Sequence, residues 1–281
     1  MAELPFNIQR AVRRYEPITT DGITLYPVLV AEYDLYSIGR TALEVMHQSL
    51  PVAMMRIPLL SALYRMDYEA AVGGETPTGL FSRTLLALAL SLRLGEGEDI
   101  EGRIERFTVI VDREKPENLM CLRFTDQDGE EKEIRPVAYA KLREIIAAQN
   151  GVKLESDLAN PDLVRAQKLA GSGGVSLDAN ADDLISGVAA LSGLDENDIL
   201  DWPILKLEKR TRSYRKLLDY LICGIGEVNG TTWNGGNPTP HPFFDRISDG
   251  SGFLKLMGED EKRKTAPPVA AQIVAEQSKN L

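Results

Sequence analysis

Asp201 to Gly230 reads DWPILKLEKRTRSYRKLLDYLICGIGEVNG, and Thr231 to Asp245 continues TTWNGGNPTPHPFFD. Ile204, Leu207, Thr211, Tyr214, Leu218, Leu221, Ile225 and Val228 recur alternately three and four residues apart. That spacing places one apolar stripe along a helix, and Leu205, Leu217 and Ile222 widen it to the face of a bundle helix. Asp201 is a good N-cap type and Pro203 costs no hydrogen bond in a first turn, so the helix is predicted to start at Asp201. Gly230 suits its end, and Gly224 and Gly226 leave room for another backbone. Lys206, Lys209, Arg210, Arg212, Arg215 and Lys216 crowd the first half, offset by Glu208. The simpler account of this cluster is a solvated face balanced by Asp195, Glu196 and Asp198. The sharper one is a surface for an acidic partner. The tail, with Trp233, Pro238, Pro240, His241, Pro242, Phe243 and Phe244, reads either as a loop held down by its rings or as a strap docking on a neighbouring subunit.

Working outward, Leu80 to Leu94 (LFSRTLLALALSLRL) is apolar all round and ends at Gly95. It is too short, and too interrupted by Arg83 and Arg93, to span a membrane, so it is predicted to be the buried centre of the N-terminal half. Leu59, Leu63, Met66 and Ala70 form a helical stripe after Pro58, and the stretch after Val30 also reads as helical, in two pieces. Ile23 to Val30 is β-prone, with Pro27 marking an edge or a strand end. Arg106–Val111, Leu119–Thr125 and the segment after the DQDGEE turn predict an antiparallel meander. Pro136 opens a helix that Asn150 and Gly151 close. Asn160-Pro161 starts a short helix before the Gly171–Gly174 joint. Asp178 or Asn180, then Asp195, cap further helices. The expected fold is α+β and mostly helical. Its expected parts are an α+β domain over 1–151 and a linker with a short helix over 152–174. A helical domain with the aromatic/proline tail covers 175–258, and a mobile polar tail covers 259–281.

The chain is 43% hydrophobic, with a formal charge of -10. That balance fits a globular protein and argues against a dedicated nucleic-acid binder, which needs a basic footprint. Cys121 and Cys223 sit among apolar neighbours and are expected to be free thiols in a reducing compartment. The N-terminal stretch MAELPFNIQRAVRRYEP lacks the apolar core of a signal peptide, so a cytoplasmic protein is expected.

Catalytic and metal constellations fail one by one. His47 and His241 are the only histidines, and with the two cysteines they make no zinc spacing. The DANADD run at Asp178–Asp183 resembles the start of a calcium loop, but Asp183 and Ala189 occupy the positions that need Gly and Glu, so helix capping is the better account. Asp126, Asp128, Glu130 and Glu131 read as turn residues. GSGG lacks the context of a phosphate loop, and no nucleophile–base pair can be argued. No enzyme, cofactor or metal is expected.

Five stretches belong together: ITLYPVLVAEYDLY (23–36), HQSLPVAMMRIPLLSALYRMDYEA (47–70), REIIAAQNG (143–151), VAALSGLDENDILDWPILKLEKR (188–210) and LLDYLICGIGEVNG (217–230). They resemble poorly characterised proteins encoded in the tail-morphogenesis region of phages and prophages of Gram-positive bacteria. The resemblance implies a tail assembly chaperone that coats the helical tape-measure protein, or a structural tail or baseplate subunit that docks on its neighbours. It implies other tail proteins, tape measure or tail tube, as partners, and a location in the bacterial host cytoplasm or in the particle. Self-association is compatible with it, and a nucleic-acid adaptor using the basic helix is the reading from another class. As partner-binding residues it leaves Lys206, Lys209, Arg210, Arg212, Arg215, Lys216, Trp233, Phe243 and Phe244.

Overall fold

The structure is a computed structural model that describes residues 4–155 and 180–229. Expectations for the 160–174 helix and joint, for the aromatic tail with Trp233, Phe243 and Phe244, and for the C-terminal tail lie outside the described residues. The chain divides into two compact units, one of residues 1–168 and 176–211, the other of residues 169–175 and 212–281. This division differs from the one expected at 152–174. Residues 180–211 belong with the N-terminal part because Ile199, Ile204 and Leu207 are fully buried there.

The fold is α+β and mostly helical. In chain order the described elements are α1 (Phe6–Arg14), β1 (Ile18–Thr20), β2 (Ile23–Leu25), α2 (Tyr33–Leu43), α3 (Leu59–Gly73), α4 (Leu80–Leu92), α5 (Ile100–Glu105), β3 (Thr108–Val111), β4 (Leu119–Thr125), β5 (Glu131–Ile134), α6 (Pro136–Gln149), α7 (Ala181–Ser192), α8 (Glu196–Leu200) and α9 (Ile204–Val228). Strands β1 and β2 form an antiparallel hairpin, and β3-β4-β5 form the antiparallel meander. The meander buries Leu122, Phe124 and Ile134 on one face. Arg123 and Glu133 pair on the other at 2.9 Å.

Helix α4 is the centre of the first unit, as its apolar run implies. Leu85 to Leu92 are all buried, and α2, α3 and α5 pack on it. The closest approach is at Gly39 of α2, where an added Cβ would lie 3.1 to 3.2 Å from the Ala87 backbone and side chain. Glycine costs up to ~1 kcal/mol inside a helix, and here it allows two helix axes to come together. Gly79, which precedes α4, has no capping side chain. Asp67 of α3 substitutes, accepting hydrogen bonds from the backbone N–H of Phe81 (3.0 Å) and Gly79 (3.2 Å). The helix ends at Leu92 rather than at Gly95, because Arg93 takes the left-handed position at φ 54°.

The end of α6 is the junction of the unit. Asn150 is fully buried. Its Oδ1 accepts from the Val28 N–H at 2.9 Å and its Nδ2 donates to the Ile146 carbonyl at 2.8 Å. Gln149 Nε2 donates to the carbonyls of Leu25 and Glu16. Residues 26–29 are not a strand, and β2 stops at Leu25, two residues before Pro27. The remaining backbone groups of residues 26–30 find other partners: Tyr26 N–H donates to the Ser91 carbonyl at 2.7 Å, Ile204 N–H donates to Val28 O at 2.9 Å, and Val30 N–H donates to Trp202 O at 2.8 Å. The last two frame a lone bridge between Leu29 and Pro203.

That bridge corrects the predicted start of the long helix. Asp201 closes α8 and does not cap α9. Pro203 stands before the first turn, its carbonyl accepting from Leu207 N–H, while Val28 satisfies the first free N–H. A backbone partner from a distant segment has replaced a local side-chain cap. The other predicted caps are present, with Asn180 accepting from Asp183 N–H and Asp195 from Asn197 N–H.

Asn150→Ala removes the acceptor of a buried N–H and the helix-end bond together, and is expected to cost about 2–4 kcal/mol. Urea denaturation checks this, and a loss below about 0.5 kcal/mol would show that the junction does not hold the unit. Tyr36 and Tyr139 supply a second test. Burial raises both phenols, Tyr139 to about 12. A phenol in the unfolded chain ionises near 10, so their contribution is intact below pH 10 and is lost as pH climbs toward the folded values. The melting temperature is expected to hold from pH 7 to 9 and fall above 10. Tyr139→Phe should soften that fall, because it removes the group whose folded pKa is raised.

Candidate interaction surface

Helix α9 carries the predicted stripe, and the stripe has two different fates. In the first unit Ile204 and Leu207 are fully buried and Leu205 nearly so. Gly151, at φ 75°, lets α9 lie close to the end of α6. An added Cβ there would meet the Glu208 carboxylate at 2.5 Å and Leu205 at 3.2 Å. In the second unit the same stripe is open. Leu218 and Leu221 are 41% and 48% exposed, Ile222 and Ile225 are 66% and 61%, and Val228 is 88%. The seam is therefore a core element over its first turn and a free apolar face over its last three turns.

The six predicted basic residues do not form one uniform face. Lys206, Lys209 and Arg210 belong to the first unit, while Arg212, Arg215 and Lys216 belong to the second. Lys206 lies over the Trp202 ring at 3.7 Å and Lys209 over the Tyr15 ring at 5.0 Å. Such cation–π contacts hold an ammonium in place while its outer side stays wet. Burial lowers the Lys206 pKa, and the nearby Arg210 lowers it further. Arg210, Arg212 and Arg215 are exposed. Lys216 departs from the expected outward face, because its ammonium nitrogen is buried and has no hydrogen bond among the described residues. Asp195 and Glu196 are engaged close to home. Asp195 caps α8 and Glu196 accepts from Ser186. On the first turns of α9, Glu208 pairs with Arg40 at 3.8 Å.

The remaining candidate groups have structural partners. His47 Nε2 lies 3.3 Å from the Met54 carbonyl. Asp126 Oδ1 accepts the N–H groups of Asp128 and Glu130, which makes it a turn residue. Neither Cys121 nor Cys223 is in a disulfide, and burial raises the Cys121 pKa. Among the described residues no group of three or more His, Cys, Asp or Glu side chains gathers as a metal site, and no helix is long and apolar enough to cross a membrane. Compared with known proteins, the chain matches no family model, no curated sequence and no solved structure.

Trp202 under Lys206 was readable in the sequence as an i,i+4 pair. Tyr15 under Lys209 was not, since nothing local joins positions so far apart.

The divided seam yields a direct comparison. Leu221→Gln with Ile225→Gln should leave unfolding free energy within about 1 kcal/mol. Leu207→Ala alone should cost about 2–4 kcal/mol. Equal losses in the two variants would mean that the exposed face is packed in solution.

Proposed function

We propose that this chain is a non-catalytic binding protein of phage or prophage tail morphogenesis, a chaperone-type factor that holds helices of the tape-measure protein. The observation that carries the reading is the free apolar face of α9 from Leu218 to Val228, set on a helix whose beginning is anchored in a packed core. An amphipathic partner helix lying along such a face would bury apolar side chains on both members. The resemblance of the 188–210 and 217–230 stretches to tail-morphogenesis proteins supplies the context, and these stretches are the ones that build α8 and α9. Under this reading the protein needs no cofactor and acts in the cytoplasm of the bacterial host.

A structural tail or baseplate subunit is the second reading. It is favoured by the meander, whose outer strands β3 and β5 each pair only with β4 among the described residues. An open strand edge is a ready site for a neighbouring chain.

Purified protein mixed with tape-measure fragments is expected to co-elute in size-exclusion chromatography, and Leu221→Glu with Ile225→Glu is expected to abolish the complex. Failure to co-elute at every ratio would overturn the chaperone reading. Mass spectrometry of purified particles separates the two roles, since a chaperone is absent from the finished tail and a subunit is present in stoichiometric amount.

A further inference from the structure

Helix α1 is amphipathic with no fully buried residue. Phe6, Arg10, Arg13 and Arg14 are exposed, and their i, i+4, i+7 and i+8 spacing puts them on one helical face. The chain then turns through Tyr15, which sits in the left-handed region at φ 61°. Its N–H donates to the Val12 carbonyl, and the Glu16 N–H donates to the Ala11 carbonyl. That is the helix ending where glycine is the usual residue, and a bulky side chain there carries backbone strain. The tyrosine has a use: its ring lies under Lys209 of α9, and Arg210 is close enough to act on its phenol. The residue that ends the basic helix α1 thus touches the basic start of α9, nearly two hundred positions away.

We propose that Arg10, Arg13 and Arg14 of α1 and Lys206, Lys209 and Arg210 of α9 form one basic surface that docks an acidic amphipathic segment of a partner protein. Like charges brought together on a chain of net charge -10 raise the local potential where an acidic ligand would lie. Two acidic side chains beside it are engaged by arginines, one of which is Arg14 of the surface itself. Glu16 pairs with Arg14 at 3.5 Å and Glu208 with Arg40 at 3.8 Å. Phe6 is 77% exposed at the edge of the same α1 face, so a ligand carrying acidic and apolar groups side by side fits better than a uniform polyanion. Single-stranded nucleic acid needs open aromatic faces for base stacking. Here the Trp202 and Tyr15 rings each carry a lysine ammonium on one face. This surface uses none of the residues of the exposed apolar stripe and stands independently of the tail-assembly reading.

The test is fluorescence anisotropy with a labelled 20-residue helical peptide bearing glutamates on one face and leucines on the other. A 20-base-pair DNA duplex is the competing probe. Saturable, salt-sensitive peptide binding is expected. Arg10→Glu with Arg13→Glu should weaken it about tenfold or more, and so should Lys209→Glu with Arg210→Glu, a loss of about 1.4 kcal/mol each. Arg113→Glu, a single charge reversal on the meander side, should do nothing. Tyr15→Gly suits the backbone there and should keep the melting temperature while weakening the peptide. Circular dichroism confirms that each variant is folded. The proposal is overturned if the peptide does not bind, if only one of the two pairs matters, if Arg113→Glu acts equally, or if the duplex binds more tightly than the peptide.

Discussion

The buried amide of Asn150 is the constraint on which the first unit rests. It accepts the Val28 N–H and ties off the last turn of α6 through the Ile146 carbonyl. With one side chain it fixes an extended segment that has no strand neighbour of its own. The groups of that segment not used by Asn150 are then presented at fixed positions, and α9 begins where the Val28 carbonyl receives the Ile204 N–H. Buried backbone groups must be paired, so the course of residues 26–30 decides where the long helix can start. An apolar residue at position 150 would fill the space but leave Val28 unsatisfied.

Buried charge is handled by the same economy. Arg103 is almost completely buried, which is costly unless every donor is engaged. Its guanidinium reaches the carbonyls of Glu98 and Leu94 and forms an ion pair with Glu32. It joins α5 to the loop that leaves α4 and to the turn that precedes α2. Asp67 acts alike at the other end of α4, where one carboxylate stands in for a missing cap. In both cases a polar side chain from elsewhere in the chain completes a helix terminus that its own residues leave open.

These long-range substitutions explain what the sequence showed and what it hid. Helices α3, α4, α6 and α7 were legible because proline, glycine and capping residues punctuate strong apolar patterns, and the meander because its strands alternate around a turn. Helix α1 was passed over because its face is basic and its anchoring apolar residues are few. Strand β2 was legible within the β-prone Ile23–Val30 run, but its partner β1 was missed because a three-residue strand carries almost no period. Asp201 was taken as a cap because local chemistry favours it, and the Leu29–Pro203 bridge overrode that preference. The basic cluster was legible as a list of residues, but not its division between two units or its meeting with α1. Both depend on contacts that no local pattern encodes.

The bridge between Leu29 and Pro203 also orders events in time. The groove that receives the start of α9 is built by residues up to about 152, yet the segment that fills it comes some fifty residues later. At typical synthesis speeds of ~5–20 residues per second, a nascent chain spends roughly 3–10 seconds with the Val28 carbonyl and the site of Ile204 and Leu207 uncovered. During that interval the unfinished domain offers an apolar cleft with one backbone acceptor at its rim. Any helix present nearby can compete for the berth before the chain's own helix arrives.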